Sequence, residues 1–172
     1  GVEILRTLKK LEVPTHLIIT EAGARTLILE TEIALAEIKA LADVVHSNRD
    51  IAASISSGSF LTRGMIVAPC SIKTLSSIAN SYDADLVARA ADVTLKERRP
   101  LVLMVRETPL HKGHLELMAR AADYGATIQP PMPAFYHKPQ TLQDIIDQGV
   151  ARALDQLGVM HALFPRWDDQ NT

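Results

Sequence analysis

Short, wholly apolar runs that give way at once to helical spacing constrain this chain more than any other feature. Leu101-Val102-Leu103-Met104-Val105 is apolar at every position, and Met65-Ile66-Val67-Ala68 is a second such run. A strand that is apolar on both of its faces must be covered on both, which is the situation of a parallel sheet between layers of helix. Each run is followed by a stretch with the 3.6-residue period of an amphipathic helix, Leu75-Ile78-Ala79 after the earlier one. Strands that alternate with helices in this way predict a single α/β domain with a parallel sheet.

The rest of the chain fits that frame. Residues 1–8 carry a helix-spaced apolar face, residues 15–20 read as a strand, and residues 21–31 and 33–42 as helical segments. A polar stretch follows, and residues 54–59 (SISSGS) read as a loop. Strand 65–69, helix 73–80, helix 84–98 closed by Pro100, and strand 101–105 come next. Helix 110–124 stops at Gly125, a short strand occupies 126–129, and a proline-rich loop leads to a last helix at 142–157, with a tail from about residue 160.

At 172 residues the chain suffices for one domain with a substantial core. A formal charge of −2 gives no reason to expect a nucleic acid or an anionic membrane partner. One cysteine excludes an internal disulfide, and no apolar run approaches the roughly 20 residues of a membrane-spanning helix. The expected compartment is the cytoplasm, and the expected ligand is a small molecule.

In an open α/β sheet, ligands bind beyond the carboxyl ends of the strands, where loops enter helix N-termini. Three loops meet that description: Thr20-Glu21, Cys70 to Thr74, and Arg106 to Pro109. In the second, hydroxyls of Ser71 and Thr74 accompany the free N–H groups and positive dipole of a helix start, a combination that suits a phosphate. Taken alone, the same hydroxyls read as helix caps.

Four blocks make the reading specific: Ser56 to Phe60 (SSGSF), Gly64 to Leu75 (GMIVAPCSIKTL), Arg89 to His111 (RAADVTLKERRPLVLMVRETPLH) and Pro130 to Leu142 (PPMPAFYHKPQTL). Together they resemble the flavin prenyltransferases, the UbiX-like family formerly described as aromatic-acid decarboxylases, and the resemblance runs from Gly1 to about Trp167. It implies a flavodoxin-like or Rossmann-like three-layer αβα fold. It also implies metal-independent transfer of a dimethylallyl group from dimethylallyl monophosphate to reduced FMN. The prenylated flavin would serve partner decarboxylases, including one in ubiquinone biosynthesis, and the protein would be a homo-oligomer, a dodecamer.

Carried over position by position, FMN contacts fall on Thr20, Ser71, Ile72, Lys73, Thr74 and Arg106, with Thr20 standing where serine is more usual. Contacts to the prenyl phosphate fall on Arg89, Lys96, Tyr136 and Arg152, with Lys96 also counted in the catalytic set. Acidic active-site residues fall on Glu30 and Glu107. The family's leading strand and Gly-Ala-Ser-Gly loop have no counterpart here, so a first strand is expected to be missing, with weaker FMN binding as the consequence. Tyr136 and Arg152 lie far along the chain from Lys96, and the resemblance implies that a neighbouring subunit supplies them.

The chemistry accounts for these residue types. A departing phosphate carries negative charge that fixed cations and a phenol hydroxyl stabilise, each charged hydrogen bond being worth about 1.5–3 kcal/mol. A positioned carboxylate such as Glu107, or the released phosphate, suits removal of the proton lost as the new flavin ring closes. Without the resemblance, Lys96 and Arg152 read as solvated helix residues, Glu30 as an exposed helix end and Tyr136 as a packing aromatic. Cys70 reads as a small buried hydrophobe, and His111 with His114, lacking a third ligand, as no metal site. Two alternatives stand beside the family's reaction: an FMN-dependent cysteinyl decarboxylase of the same fold, which needs Cys70, and a truncated, non-catalytic flavoprotein subunit.

Overall fold

The computed structural model describes residues 1–164, so Trp167 lies outside the described residues. In chain order the elements are α1 (Val2–Lys10), β1 (His16–Ile19), α2 (Glu21–Glu30), α3 (Leu35–Ala40), β2 (Val44–Ser47), a short 3-10 turn (Ser54–Ser56), β3 (Met65–Cys70), α4 (Ile72–Ala79), α5 (Leu86–Lys96), β4 (Leu101–Val105), α6 (Lys112–Asp123), β5 (Ala126–Ile128) and α7 (Leu142–Gln156). All strand pairings are parallel, in two ladders: β1 with β2, and β3, β4 and β5 in that order.

β4 is buried along its whole length, and its two faces enter two cores. Leu101, Leu103 and Val105 pack with Val67, Cys70, Leu75, Ile78, Val87 and Ala91, under helices α4, α5 and α6. Val102 and Met104 pack with Ile4, Val150, Ala153 and Leu154, under α1 and α7. Helix covers both faces of the sheet, which is the three-layer αβα arrangement.

The pairing of β3 with β4 contains one irregularity. Met65, Ile66 and Val67 stand opposite Leu101, Val102 and Leu103, but Cys70 stands opposite Val105, so β3 spends one extra residue between Val67 and Cys70. Ala68-Pro69 occupies that bulge, where the missing proline N–H leaves no gap in the ladder.

Element ends differ from the sequence reading by one or two residues, and one strand was not anticipated. β2 lies inside the stretch read as polar loop. Its four residues, Val-Val-His-Ser, are mostly exposed and follow Asp43, so they show neither the apolar run of a central strand nor a clean alternation. Pairing with β1, together with the Asp43 and Val44 N–H bonds to the Thr15 carbonyl, holds them extended. The segment read as loop at 54–59 begins with the 3-10 turn.

Because Leu103 is fully buried between β3, β5 and α4, Leu103→Ala should cost about 2–5 kcal/mol, as truncation of a closed apolar site does. Urea unfolding followed by circular dichroism measures it.

Candidate functional site

Two helices that follow strands begin in the same chemical way. Thr20 caps α2, its hydroxyl accepting from Gly23 N–H at 2.9 Å. Ser71 caps α4, its hydroxyl accepting from Thr74 N–H at 3.2 Å and lying 3.1 Å from the Thr74 hydroxyl. These caps satisfy one donor each and leave the earlier N–H groups of the first turn, including those of Ile72 and Lys73, facing outward at the positive end of the helix dipole. Exposed Ser71 and Lys73 complete a donor set with no competing acidic side chain in the α4 first turn. That chemistry fits the phosphate of a flavin mononucleotide.

The exit of β4 joins this region. Arg106 N–H donates to the carbonyl of Cys70 at 3.3 Å, tying the end of β4 to the end of β3. The Arg106 guanidinium then reaches Glu30 at the end of α2, Nη2 to Oε1 3.9 Å. Glu107 follows, exposed. Two of the three loops expected at one edge are thus linked through Arg106, whose side chain also approaches the far end of the helix that follows the third.

Arg89 and Lys96 sit together on α5, on the side that meets residues 56–60. Arg89 holds Asp83 at 2.9 Å, lies 3.8 Å from Asp92, and donates through Nε to the Ser56 carbonyl at 3.3 Å. Lys96 Nζ pairs with Glu97 at 3.0 Å beside Gly58. Tyr136 and Arg152 belong to a different neighbourhood. The Tyr136 hydroxyl accepts from Gln148 Nε2 at 3.0 Å, and Arg152 reaches Asp155 on its own helix at 3.5 Å.

Cys70 is fully enclosed, and burial pushes its thiol up to about 12. At neutral pH it is a protonated, shielded apolar group, without the thiolate that a cysteine nucleophile requires. Among the described residues, no group of three or more His, Cys, Asp or Glu is placed to hold a metal ion.

Comparison with known proteins places this geometry. The Flavoprotein family model matches residues 1–157. The flavin prenyltransferase UbiX of Salmonella typhimurium is 61% identical over 170 residues, covering 97% of this chain and 90% of the relative. The chain belongs to the flavin prenyltransferase family. Two solved structures of that family superpose closely. AnUbiX (PadA1), in complex with FMN and dimethylallyl pyrophosphate, has a TM-score of 0.94 at 47% identity, covering 97% of this chain and 89% of that one. A dodecameric FMN-dependent UbiX-like decarboxylase from Escherichia coli O157:H7 has a TM-score of 0.93 at 49% identity, covering 97% and 91%. The flavodoxin-like αβα fold of the family is therefore this chain's fold.

Two features of the structure escaped the sequence reading. Arg99 closes the charged run Lys96-Glu97-Arg98-Arg99, yet its guanidinium binds the carbonyls of Gly58 and Phe60. Backbone carbonyls carry no mark in a sequence, so no pattern of residue types announces such a partner. Similarly, the diagonal neighbours His16 and His46 on β1 and β2 meet Nδ1 to Nε2 at 2.9 Å, with Phe60 packed on the His16 ring. Only knowledge of the missed strand β2 would have paired them.

Two measurements follow from these environments. Cys70 should resist a thiol-directed chromogenic disulfide at pH 8 in the folded protein and react at once in denaturant; prompt reaction of folded protein would contradict its enclosure. His16 has its pKa lowered, first by burial and then by His46, with Asp43 opposing. Its folded pKa therefore lies below the unfolded value of 6.5, and the unfolded chain binds the extra proton first. The stability tied to the neutral ring is present above 6.5 and is lost as pH falls through the folded pKa. Urea midpoints across that window should fall less steeply in His16→Gln than in the parent.

Proposed function

We propose that this chain transfers a dimethylallyl group from dimethylallyl monophosphate to reduced FMN, as a single flavin-binding domain of a homododecamer. The observation that carries the reading is the 61% identity to a flavin prenyltransferase along 97% of the chain. The polar helix start at Ser71 supports it, standing next to Arg106 in a fold shared with an FMN complex. Dodecameric assembly is taken from the Escherichia coli O157:H7 relative. The product goes to a decarboxylase that uses prenylated flavin, in the cytoplasm, including the one that acts in ubiquinone biosynthesis.

In this reading Thr20, Ser71, Ile72, Lys73, Thr74 and Arg106 hold FMN. When bound in its reduced form, it supplies the ring nitrogen and carbon that receive the five-carbon unit. The chain's own residues do the rest. Arg89, Lys96, Tyr136 and Arg152, with Arg106 nearby, surround the donor phosphate; they stabilise the charge that accumulates as its carbon–oxygen bond breaks and the electron pair leaves with phosphate. Arg89 keeps Asp83 as a partner, which orients its guanidinium on α5. Tyr136 and Arg152 complete the site of a neighbouring subunit. Glu107 takes the proton released on ring closure, and Glu30, 3.9 Å from the Arg106 guanidinium, is the second acidic residue of the site.

A buried thiol at about 12 speaks against the cysteinyl decarboxylase alternative. Under anaerobic conditions, with reduced FMN, dimethylallyl monophosphate and no divalent metal, mass spectrometry should find a flavin heavier by one five-carbon unit and release of inorganic phosphate. A parallel reaction with the diphosphate tells which donor the chain uses. An unchanged flavin mass with both donors overturns the reading. Glu107→Gln should lower the rate by about 10²–10⁴ with FMN still bound, and wild-type turnover in that variant removes Glu107 from the proton step.

A further inference from the structure

The segment from Ser56 to Phe60 presents every second carbonyl to an arginine of α5 or of the turn that follows it. Ser56 carbonyl accepts from Arg89 Nε at 3.3 Å, Gly58 carbonyl from Arg99 Nη2 at 2.7 Å, and Phe60 carbonyl from Arg99 Nη1 at 2.8 Å. Ser57 between them is extended, at φ −108 and ψ 135. The segment is a turn, with the Phe60 N–H donating to the Ser57 carbonyl at 3.2 Å, and it carries these three carbonyls to Arg89 on α5 and to Arg99 just beyond that helix. The planar guanidinium of Arg99 bonds two carbonyls two residues apart, which an ammonium cannot do with the same fixed fork.

The placement of Arg99 comes from the end of α5. Arg98 is left-handed at φ 55, and the N–H groups of Arg98 and Arg99 return to the carbonyls of Leu95 and Thr94, each at 2.9 Å. That closure reverses the chain directly after the helix and leaves the Arg99 side chain against the segment it binds.

Gly58 has a separate role. Its φ does not lie in the left-handed region, so a side chain is excluded by space. A Cβ there would fall on Glu97 Oε1, 2.7 Å from Glu97 Cδ and 3.1 Å from Lys96 Nζ. The Lys96–Glu97 ion pair therefore rests in the space that glycine leaves open. All these atoms are far ends of flexible side chains, so a methyl group would move them without disturbing the backbone.

We propose that residues 56–60, clamped by Arg89 and Arg99, form the template on which Lys96 is positioned, and that Gly58 and Arg99 set its place toward the donor phosphate. The proposal rests on the reading of Lys96 as a donor-phosphate ligand. Gly58 and Arg99 are positioning residues, acting through Lys96 without touching the reacting atoms.

A double-mutant cycle on the full chain tests it, with Gly58→Ala, Lys96→Ala and the pair, measuring kcat and KM for dimethylallyl monophosphate, FMN affinity and thermal midpoint. Gly58→Ala should raise the donor KM about tenfold, with kcat, FMN affinity and midpoint unchanged, and should add nothing to Lys96→Ala. Arg99→Lys, which keeps the charge and loses the fork, should raise the same KM and leave FMN binding alone. An unchanged KM in Gly58→Ala beside a raised KM in Lys96→Ala overturns the proposal, as does strict additivity in the pair. If Lys96→Ala leaves the KM unchanged while prenyl transfer continues, both the role of Lys96 and this proposal fall, and the reaction itself stands.

Discussion

The pairing of β3 with β4 is the constraint on which everything else rests. β4 has no exposed residue, so both of its faces must be roofed, and each roof is built from different helices. The apolar side chains that satisfy this burial leave polar chemistry nowhere to go except the strand ends. Backbone groups there are no longer used by the ladder, and Arg106 N–H finds the Cys70 carbonyl only because the two strands finish side by side. A rigid apolar centre thus delivers charged side chains to one rim.

On that rim the residues fall into two kinds. Some are held by bonds within the chain: Ser71 and Thr74 by their shared cap, Arg89 by Asp83. Others, such as Glu107 and Lys73, are exposed and free of the core. The first kind costs little to order when a ligand arrives, because side-chain freedom has already been restricted during folding. Surface ion pairs of this sort contribute little to stability on their own, so their value lies in orientation.

Much of this was legible in the sequence. The runs at 65–68 and 101–105 identified the buried strands because nothing else makes a short stretch apolar at every position, and the hydroxyl caps marked where helices begin. Family resemblance supplied the proposed roles of Arg89, Lys96, Tyr136 and Arg152, which spacing alone could not distinguish from solvated surface. β2 was hidden because its extended form is imposed by β1 and carries no signature of its own. Arg99 was hidden for a related reason: its partners are carbonyls, which every residue type possesses. Sequence patterns report what a side chain prefers, and these two features depend on what a distant segment of backbone offers.

The extra residue at Ala68-Pro69 has a consequence for parity. Met65 and Val67 face the core under α4, α5 and α6, and Ile66 and Ala68 face the other; an uninterrupted strand would send Cys70 with the even-numbered residues. The bulge reverses the count, so Cys70 turns inward with Val67 and the following hydroxyl of Ser71 emerges at the helix start. Keeping both residues in a regular pleat would exchange the two environments and bring sulfur toward the place of oxygen, whereas deleting one would flatten the bulge and leave the Cys70 thiol beside Val67. One residue of slack in a strand thereby decides which chalcogen stands at the helix start.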